Sequence, residues 1–560
     1  MSQTPKKQNF LHGAALLAMA TAIVKVIGAL YKIPLKMIIG DTGYSYFITA
    51  YDIYSVLLMI STAGLPIAMS RMISQVSSLR RYNQVRRVYK TARTIFLILG
   101  ILSCGLMMLF CRELAQFQGQ PDAWAAIACL APSSLLICVM STFRGFFQGQ
   151  GDMRPTSNSQ ILEAAVKLVV GLAAAFALMF LTQSVALAAA GAIIGVTVSC
   201  AASTIFLYWK FRPAYADLPQ TGDEPDSYAA TAKNLLAIAV PITIGSAGLQ
   251  LLTVVQTSLY MGQLRAGLDA SLSGAELESL LAAYGYAGEA LSRADAIQFI
   301  MDTRKGIYNM AATISNMPCA FIVPITVSIL PAVTAHLTLM DHKAVKATEE
   351  SAARITGLIT LPCSVGLLVL ARPVMGLLGG YSGEKLDLAA ALMGLLAVTV
   401  FLYCTSQLMA SILQAHGYAH LPVLNMLLAG AANLVVVYIL SGNPAIGILS
   451  VPTGTILCYT AISLLNIFCL YRTIKTDRPA LLTNLLRPAL PTAIMGGAVY
   501  ACYWAMTELM HISSNLLLCA VPIMVGVAIY AVCAVAFKSI TREDCLLLPK
   551  GDTIARLLRL

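Results

Sequence analysis

Lys25 and Lys32 stand seven residues apart in one long apolar stretch. On a helix of about 3.6 residues per turn, that spacing places both ammonium groups on one face, about two turns apart. A cation inside hydrocarbon is costly and normally faces a protein interior or a water-filled cavity. Lysines so placed make a point-charge site for an anion, and a low local dielectric strengthens the attraction. Lys32 and Lys36 can equally snorkel to headgroups at the outer boundary. Asp52 follows in Ala50-Tyr51-Asp52-Ile53-Tyr54. It reads either as a counter-ion for a lysine of the first segment or as a protonatable or cation-binding switch. Glu163 and Lys167 are four apart, the spacing of a helical ion pair, and read as mutual neutralisers or as a coupling pair in a lobe interior. Arg304 and Lys305 open a later apolar segment beside its outer mouth, where they either greet an anion or mark the interface.

Little else in the chain looks like reaction chemistry. His416 and His420 are four apart in a turn without a neighbouring carboxylate in sequence, which favours an interface role over a metal site. The 14 cysteines sit mostly in apolar runs, with no CxxC pair and no Cys/His cluster, so they read as buried thiols. No nucleophile motif, GxGxxG or P-loop is present. A membrane polymerase or ligase needs acids, histidines or metal ligands gathered in one site, and this pattern argues against one. The expectation is a non-enzyme without cofactor or metal.

The elements that carry these residues follow from composition. Of 560 residues, 58% are hydrophobic and 11% charged, against about 25% charged in ordinary soluble domains. The chain therefore reads as an all-α polytopic membrane protein. Spans of about 20 apolar residues give about fourteen segments, the first at 11–33 and the second at 46–69. The apolar run after Lys6 and Lys7 lacks a cleavage pattern, so the first segment is expected to stay as a helix. Between Ser70 and Arg93 lie Arg71, Arg80, Arg81, Arg86, Arg87, Lys90 and Arg93 with no acid among them. The positive-inside bias places this loop and both termini in the cytoplasm. No aromatic platform accompanies the cluster, so it reads as a topology signal with lipid headgroup contact and not as a nucleic-acid site. The acidic loop 260–305, with Glu276, Glu289 and Asp302, falls outside, and Gly274–Tyr284 suggests a short amphipathic helix there. That loop reads as a lid or as an inert connector.

The halves resemble each other. Pro66 matches Pro331, Arg93 and Arg112 match Arg354 and Arg372, and Gln148-Gly149-Gln150-Gly151 matches Gln414-Ala415-His416-Gly417. Lys167-Leu168-Val169-Val170 matches Asn433-Leu434-Val435-Val436, and the offsets cluster at about 260–266 residues. An even number of segments separates the copies. Two parallel six-helix lobes then face a cleft that opens to either side, which is alternating-access architecture. The expected division is an N-lobe at 1–212, a cytoplasmic linker at 213–234, a C-lobe at 235–478, and two added helices with a tail at 479–560. Gly191 and Gly195 predict a close helix contact, and Asn425, Asn433 and Asn466 predict bonds between helices. A cleft cationic in one lobe and neutral in the other suits an anionic amphiphile.

Phe10-Leu11-His12-Gly13-Ala14, Lys25-Val26-Ile27-Gly28 through Lys32-Ile33-Pro34-Leu35, Gly40-Asp41-Thr42-Gly43, Ser61-Thr62-Ala63-Gly64-Leu65-Pro66 and Arg144-Gly145-Phe146-Phe147-Gln148-Gly149 form a further pattern. It resembles the stage V sporulation protein B and oligosaccharide flippase family of the multidrug/oligosaccharidyl-lipid/polysaccharide exporter superfamily, related to the lipid II flippase. The resemblance implies fourteen helices in the bacterial plasma membrane. It implies an undecaprenyl-pyrophosphate-linked oligosaccharide, lipid II or another envelope precursor, moved from the inner to the outer leaflet. It places Lys25 among cavity-lining cations, with Lys32, Asp52 and Arg304 as the other expected substrate-site residues. The chain departs from the lipid II flippase at Tyr31 and Lys32, where that protein has an arginine–acid pair, and at Asp52. Its partners would be the lipid-linked oligosaccharide, membrane lipids and cell-wall synthases, around a monomer. The drive would be H+, Na+ or the membrane potential. A cation-coupled multidrug exporter of the same superfamily is the competing reading; it predicts a carboxylate-rich cleft, and the intramembrane balance here leans positive.

Overall fold

The computed structural model describes residues 5–62, 64–286, 291–319, 333–334, 336–337, 340–443, 446–474, 479–537 and 539. Of residues 5–19, 21–22, 25–26, 29, 60–62, 241–242, 244–246 and 248–249, it describes only the backbone. The side chain of Lys25 is among these, and Glu289, Pro331, Lys475, Arg478 and the tail from 540 lie outside the described residues. Every described element is helical, as the composition predicts. Among the described residues, nine helices are long and apolar enough to cross a membrane. The expected fourteen are not all separable: the first two merge into one element, and residues 320–332 fall outside the described set.

The helices of the first half are α1 (Pro5–Thr62), α2 (Leu65–Ser78), α3 (Tyr82–Leu109), α4 (Cys111–Phe117), α5 (Trp124–Gln150), α6 (Arg154–Thr182), α7 (Val185–Ala216) and α8 (Tyr228–Ser271). After α9 (Gly274–Ala283) and α10 (Arg293–Ser315) come α11 (His342–Val369), α12 (Ala371–Leu378), α13 (Gly383–Ala415), α14 (His420–Ser441), α15 (Ser450–Thr473), α16 (Leu481–Leu486), α17 (Ala489–Trp504) and α18 (Asn515–Ala536). The chain forms two compact units. The first comprises Met1–Arg265 and Met301–Gly306; the second comprises Ala266–Ile300 and Ile307–Leu560. Residues 235–265, expected with the second lobe, thus pack in the first unit. Gln118 Nε2 donates to Val254 O at 3.0 Å and Ser258 Oγ to Phe117 O at 2.5 Å.

In the first unit α1 changes direction at Gly40, whose φ of 69° and ψ of −173° leave helical geometry. An L side chain adopts that region poorly. The break lets one helix supply two apolar segments, with Lys32 before it and Asp52 after it. Lys36 pairs with Asp41 at 3.3 Å across the break, and both are buried. Lys36 is therefore an internal ion-pair partner, which answers its snorkelling alternative. The Gly191/Gly195 expectation holds: a Cβ on Gly195 would come 2.3 Å from Gly171 Cα, and one on Gly191 2.8 Å from Ala174 O. α6 and α7 touch backbone to backbone, as small residues in membrane helices permit. Tyr31 locks α1 onto the pair, its hydroxyl donating to Ala192 O at 3.2 Å. At the other end of the unit, Tyr89, Phe143, Phe146 and Phe211 bind α3, α5 and α7 through ring centroids 4.6–5.8 Å apart, in the edge and offset range for aromatic pairs.

In the second unit α11, α13 and α15 bury Val345, Ala353, Leu408, Ile412 and Leu470 against Leu481 and Leu485 of α16. Asn425 Nδ2 donates to Asn466 Oδ1 at 2.9 Å, joining α14 to α15 as expected of intramembrane amides. His416 was expected to lack a carboxylate, but its Nε2 lies 2.7 Å from Oε1 of the buried Glu349. The partner comes from α11, 67 residues away in sequence, so no local pattern announces it. Among the described residues no group of three or more His, Cys, Asp or Glu is placed to hold a metal. The described residues of the 260–305 loop are largely helical. Ser273 and Glu276 form a reciprocal capping box at the start of α9, and Arg293 bonds Asp269 Oδ1 at 2.9 Å and Leu272 O at 2.9 Å.

Candidate functional site

Three helices of the first unit bring its intramembrane charges together. Lys32 from α1 is partly buried and lies within electrostatic reach of Lys167 of α6, which repels it, and of Asp52, which attracts it. Asp52 in turn feels Lys305 and Lys32. Among the described residues neither Lys32 nor Asp52 has an ion-pair partner within bonding distance. Lys167 stands 5.8 Å from the centroid of the Tyr31 ring, at the outer limit of a cation–π contact.

The expected Glu163–Lys167 pair is replaced by another. Arg144 NH2 lies 3.0 Å from Glu163 Oε2, and its Nε donates to Ser159 Oγ at 3.0 Å. A guanidinium from α5 reaches two acceptors on α6 with one planar fork, which an ammonium one turn along the same helix cannot do. Glu163 bonds Arg144 and attracts Lys167 only at longer range, and Lys167 also faces Tyr31 and Lys32. The local positive surplus is larger than spacing alone suggested.

A second polar group lies buried nearby and was only half visible in the sequence. Arg304 was singled out, and it is partly buried with an interaction of its own. It is Lys305 that enters the network. Its Nζ donates to Thr49 Oγ1 at 2.5 Å and to Gln120 Oε1 at 2.9 Å. The Gln120 amide is saturated: Oε1 also accepts from Thr49, while Nε2 donates to Asp302 Oδ1 at 2.8 Å and Ser45 Oγ at 2.5 Å. The Tyr46 hydroxyl sits 3.0 Å from Asp302 Oδ2 and 3.3 Å from Asp122 Oδ2. Asp302 and Lys305 are three apart on α10 and so share a face. Gly306 makes this approach possible, because a Cβ there would come 2.1 Å from Asp41 O. The sequence signal was the Asp302–Lys305 spacing; its partners at 46, 49 and 120 could not be read from it.

The arrangement holds Lys305 as a buried charge with two hydrogen bonds and leaves Lys32 and Lys167 as cations without a carboxylate at ion-pair distance. Asp52, without an ion-pair partner among the described residues, lies within electrostatic reach of Lys32 and Lys305.

The family model described as polysaccharide biosynthesis protein matches residues 10–336, and that described as lipid II flippase MurJ matches residues 294–520. The chain is 22% identical to lipid II flippase MurJ of Bacillus subtilis (strain 168), over 94% of this chain and 95% of that protein. It is 23% identical to stage V sporulation protein B of the same organism, over 80% and 82%. Among solved structures, lipid II flippase MurJ in an inward closed conformation aligns with a TM-score of 0.65 at 13% identity, covering 95% of this chain and all of that one. An inward-facing multidrug resistance MATE family transporter of the MOP superfamily aligns with a TM-score of 0.61 at 16% identity, covering 82% of this chain. These likenesses establish the all-α transporter fold.

Proposed function

Because the chain belongs to the polysaccharide biosynthesis protein family, within the multidrug/oligosaccharidyl-lipid/polysaccharide exporter superfamily of membrane transporters and flippases, we propose that it flips an undecaprenyl-pyrophosphate-linked oligosaccharide from the inner to the outer leaflet. The protein is a multi-pass membrane transporter and not an enzyme. The observation that carries the substrate reading is the pair of cations, Lys32 and Lys167, on apolar helices of one unit without a bonded carboxylate. A diphosphate fits two neighbouring ammonium groups as point charges, strengthened where water is scarce. Lys25, two turns earlier on the face of Lys32, extends the same proposed site by its spacing, and Arg304 lies toward its outer mouth.

Asp52, unpaired beside these lysines, is the group at which a coupling proton or Na+ would act; the membrane potential acting on the charged cargo is the other drive. Both termini are placed in the cytoplasm by the basic loop 71–93. A cationic drug would meet a site of the wrong sign. Cell-wall synthases that use the flipped precursor would be partners.

The test is a leaflet-protection assay. Proteoliposomes carry a fluorescent undecaprenyl-pyrophosphate saccharide, and an impermeant quencher reports the fraction moved. Lys32→Ala and Lys167→Ala each slow transport about tenfold or more, whereas Lys32→Arg, which keeps the charge, retains a measurable part. Transport at the parent rate by a properly inserted Lys32→Ala/Lys167→Ala double variant refutes the reading.

A further inference from the structure

The start of α3 is occupied by the chain's own acidic linker. Arg81, the residue before α3, is non-helical and its side chain does not cap the helix, so the first amides need acceptors from elsewhere. The segment 217–226, between α7 and α8, supplies them. Thr221 Oγ1 accepts from Tyr82 N at 3.2 Å, and Asp223 accepts from Asn83 N at 3.2 Å through Oδ1 and from Gln84 N at 3.0 Å through Oδ2. Gln84, 1% exposed, closes a reciprocal pair: Nε2 donates to Asp226 Oδ2 at 3.0 Å and Oε1 accepts from Asp226 N at 2.7 Å.

The arginines of the basic loop grip the same segment. Arg81 donates to Glu224 O at 2.9 Å and lies 3.6 Å from Asp226 Oδ1. Arg86 donates to Leu218 O at 2.6 Å, and the Arg87 guanidinium stacks 3.8 Å above the Tyr228 ring. Desolvation pushes the Asp223 carboxyl up, but the Thr221 hydroxyl and the Gln84 and Asn83 amides together outweigh it and hold the carboxyl below the usual range. The Arg81 contacts with Glu224 and Asp226 are exposed and so individually weak and salt-sensitive, while the capping bonds of Thr221, Asp223 and Asp226 are half-buried. Arg71, Arg80, Lys90 and Arg93 stay exposed around them. A surface of this charge, on the side assigned to the cytoplasm, faces the negative potential of the inner leaflet.

We propose that residues 217–226 form a releasable strap over the basic start of α3, and that the phosphates of anionic phospholipid headgroups compete with Asp223 and Asp226 for it. The strap lies in the only covalent connection between α7 and α8, so its release frees about ten residues of tether, each spanning about 3.3–3.6 Å when extended. The tether length available to α8 is then set by the lipid composition of the membrane. The inference is independent of the cargo.

Hydrogen exchange read by mass spectrometry, on the full-length protein in nanodiscs, tests it without a transport assay. In neutral phosphatidylcholine discs the amides of 82–84 and of Asp226 are protected. In discs rich in phosphatidylglycerol the Asp226 amide exchanges about tenfold faster or more, while 82–84 keep their protection because headgroup phosphate replaces the carboxylate. Asp223→Asn releases Asp226 in neutral discs as well. Equal protection of Asp226 in both lipids makes the linker a fixed element and overturns the proposal. Unchanged protection in Asp223→Asn removes Asp223 as the holding group. Release by millimolar inorganic phosphate but not by phosphatidylglycerol overturns the lipid assignment.

Discussion

Lys305→Met removes the central donor of the buried network and keeps roughly the side-chain volume. The ammonium makes two bonds, to Thr49 and Gln120, and Lys305 and Asp302 are each 1% exposed. The Thr49 hydroxyl still reaches Gln120, so the main loss is the positive charge that offsets the Asp52 and Asp302 carboxylates. Removing one partner of a buried charged set costs about 3–5 kcal/mol, because the other is left uncompensated. Neutralising Asp302 as well, in Lys305→Met/Asp302→Asn, leaves an amide whose oxygen still accepts from Gln120 and whose NH2 donates to the Tyr46 hydroxyl, which turns to Asp122, so part of the loss returns. Reversible unfolding by sodium dodecyl sulfate in mixed micelles, followed by helix circular dichroism, reads both values. A single-variant loss under about 1 kcal/mol, the range of an exposed pair, refutes the claim that this cluster is buried and charge-balanced. So does a double variant no more stable than the single one.

Further expectations rest on other contacts. Gly195→Val drives a side chain into the Gly171 backbone and lowers stability by about 1–3 kcal/mol in the same unfolding assay, with α6 and α7 parting first in hydrogen exchange. Arg144→Ala strands Glu163, whereas Arg144→Lys keeps the charge and loses the Ser159 contact, so the lysine variant unfolds between parent and alanine variant. The strap has a signed pH dependence. A carboxyl depressed on docking holds the strap above its ordinary pKa of about 3.9 and lets go as the pH falls through the lower docked value. After correction for intrinsic exchange, protection of the Asp226 amide is therefore level from neutrality to about pH 4.5 and falls only below about pH 4.

Local spacing made some of this legible and long-range folding hid the rest. Gly191 and Gly195 announced a close helix contact because four-residue spacing fixes a helix face wherever the partner lies. Lys32 and Asp52 announced themselves because charge in an apolar run needs a reason. Glu163 misled: the four-residue rule supplied Lys167 as partner, and tertiary structure supplied Arg144 with a better fork. Lys305 was noticed only as a neighbour of Arg304, because Thr49, Gln120 and Tyr46 reach it from far along the chain. Asp223 and Asp226 drew no attention, since an acidic linker with no apolar period looks like a spacer until the arginines opposite it are placed.

Tyr31, Gly171 and Gly195 meet where α1, α6 and α7 cross, with no room for even a methyl group between two of the backbones. Helices in such intimate register resist sliding, so they travel as one rigid plate. Lys32 follows Tyr31 directly, and Lys167 sits one turn before Gly171. The backbone spacing of those two positions is thus set by the same packing. On the proposed reading, what varies is access to them, and a cargo would meet the same spacing of helices on both sides of the bilayer.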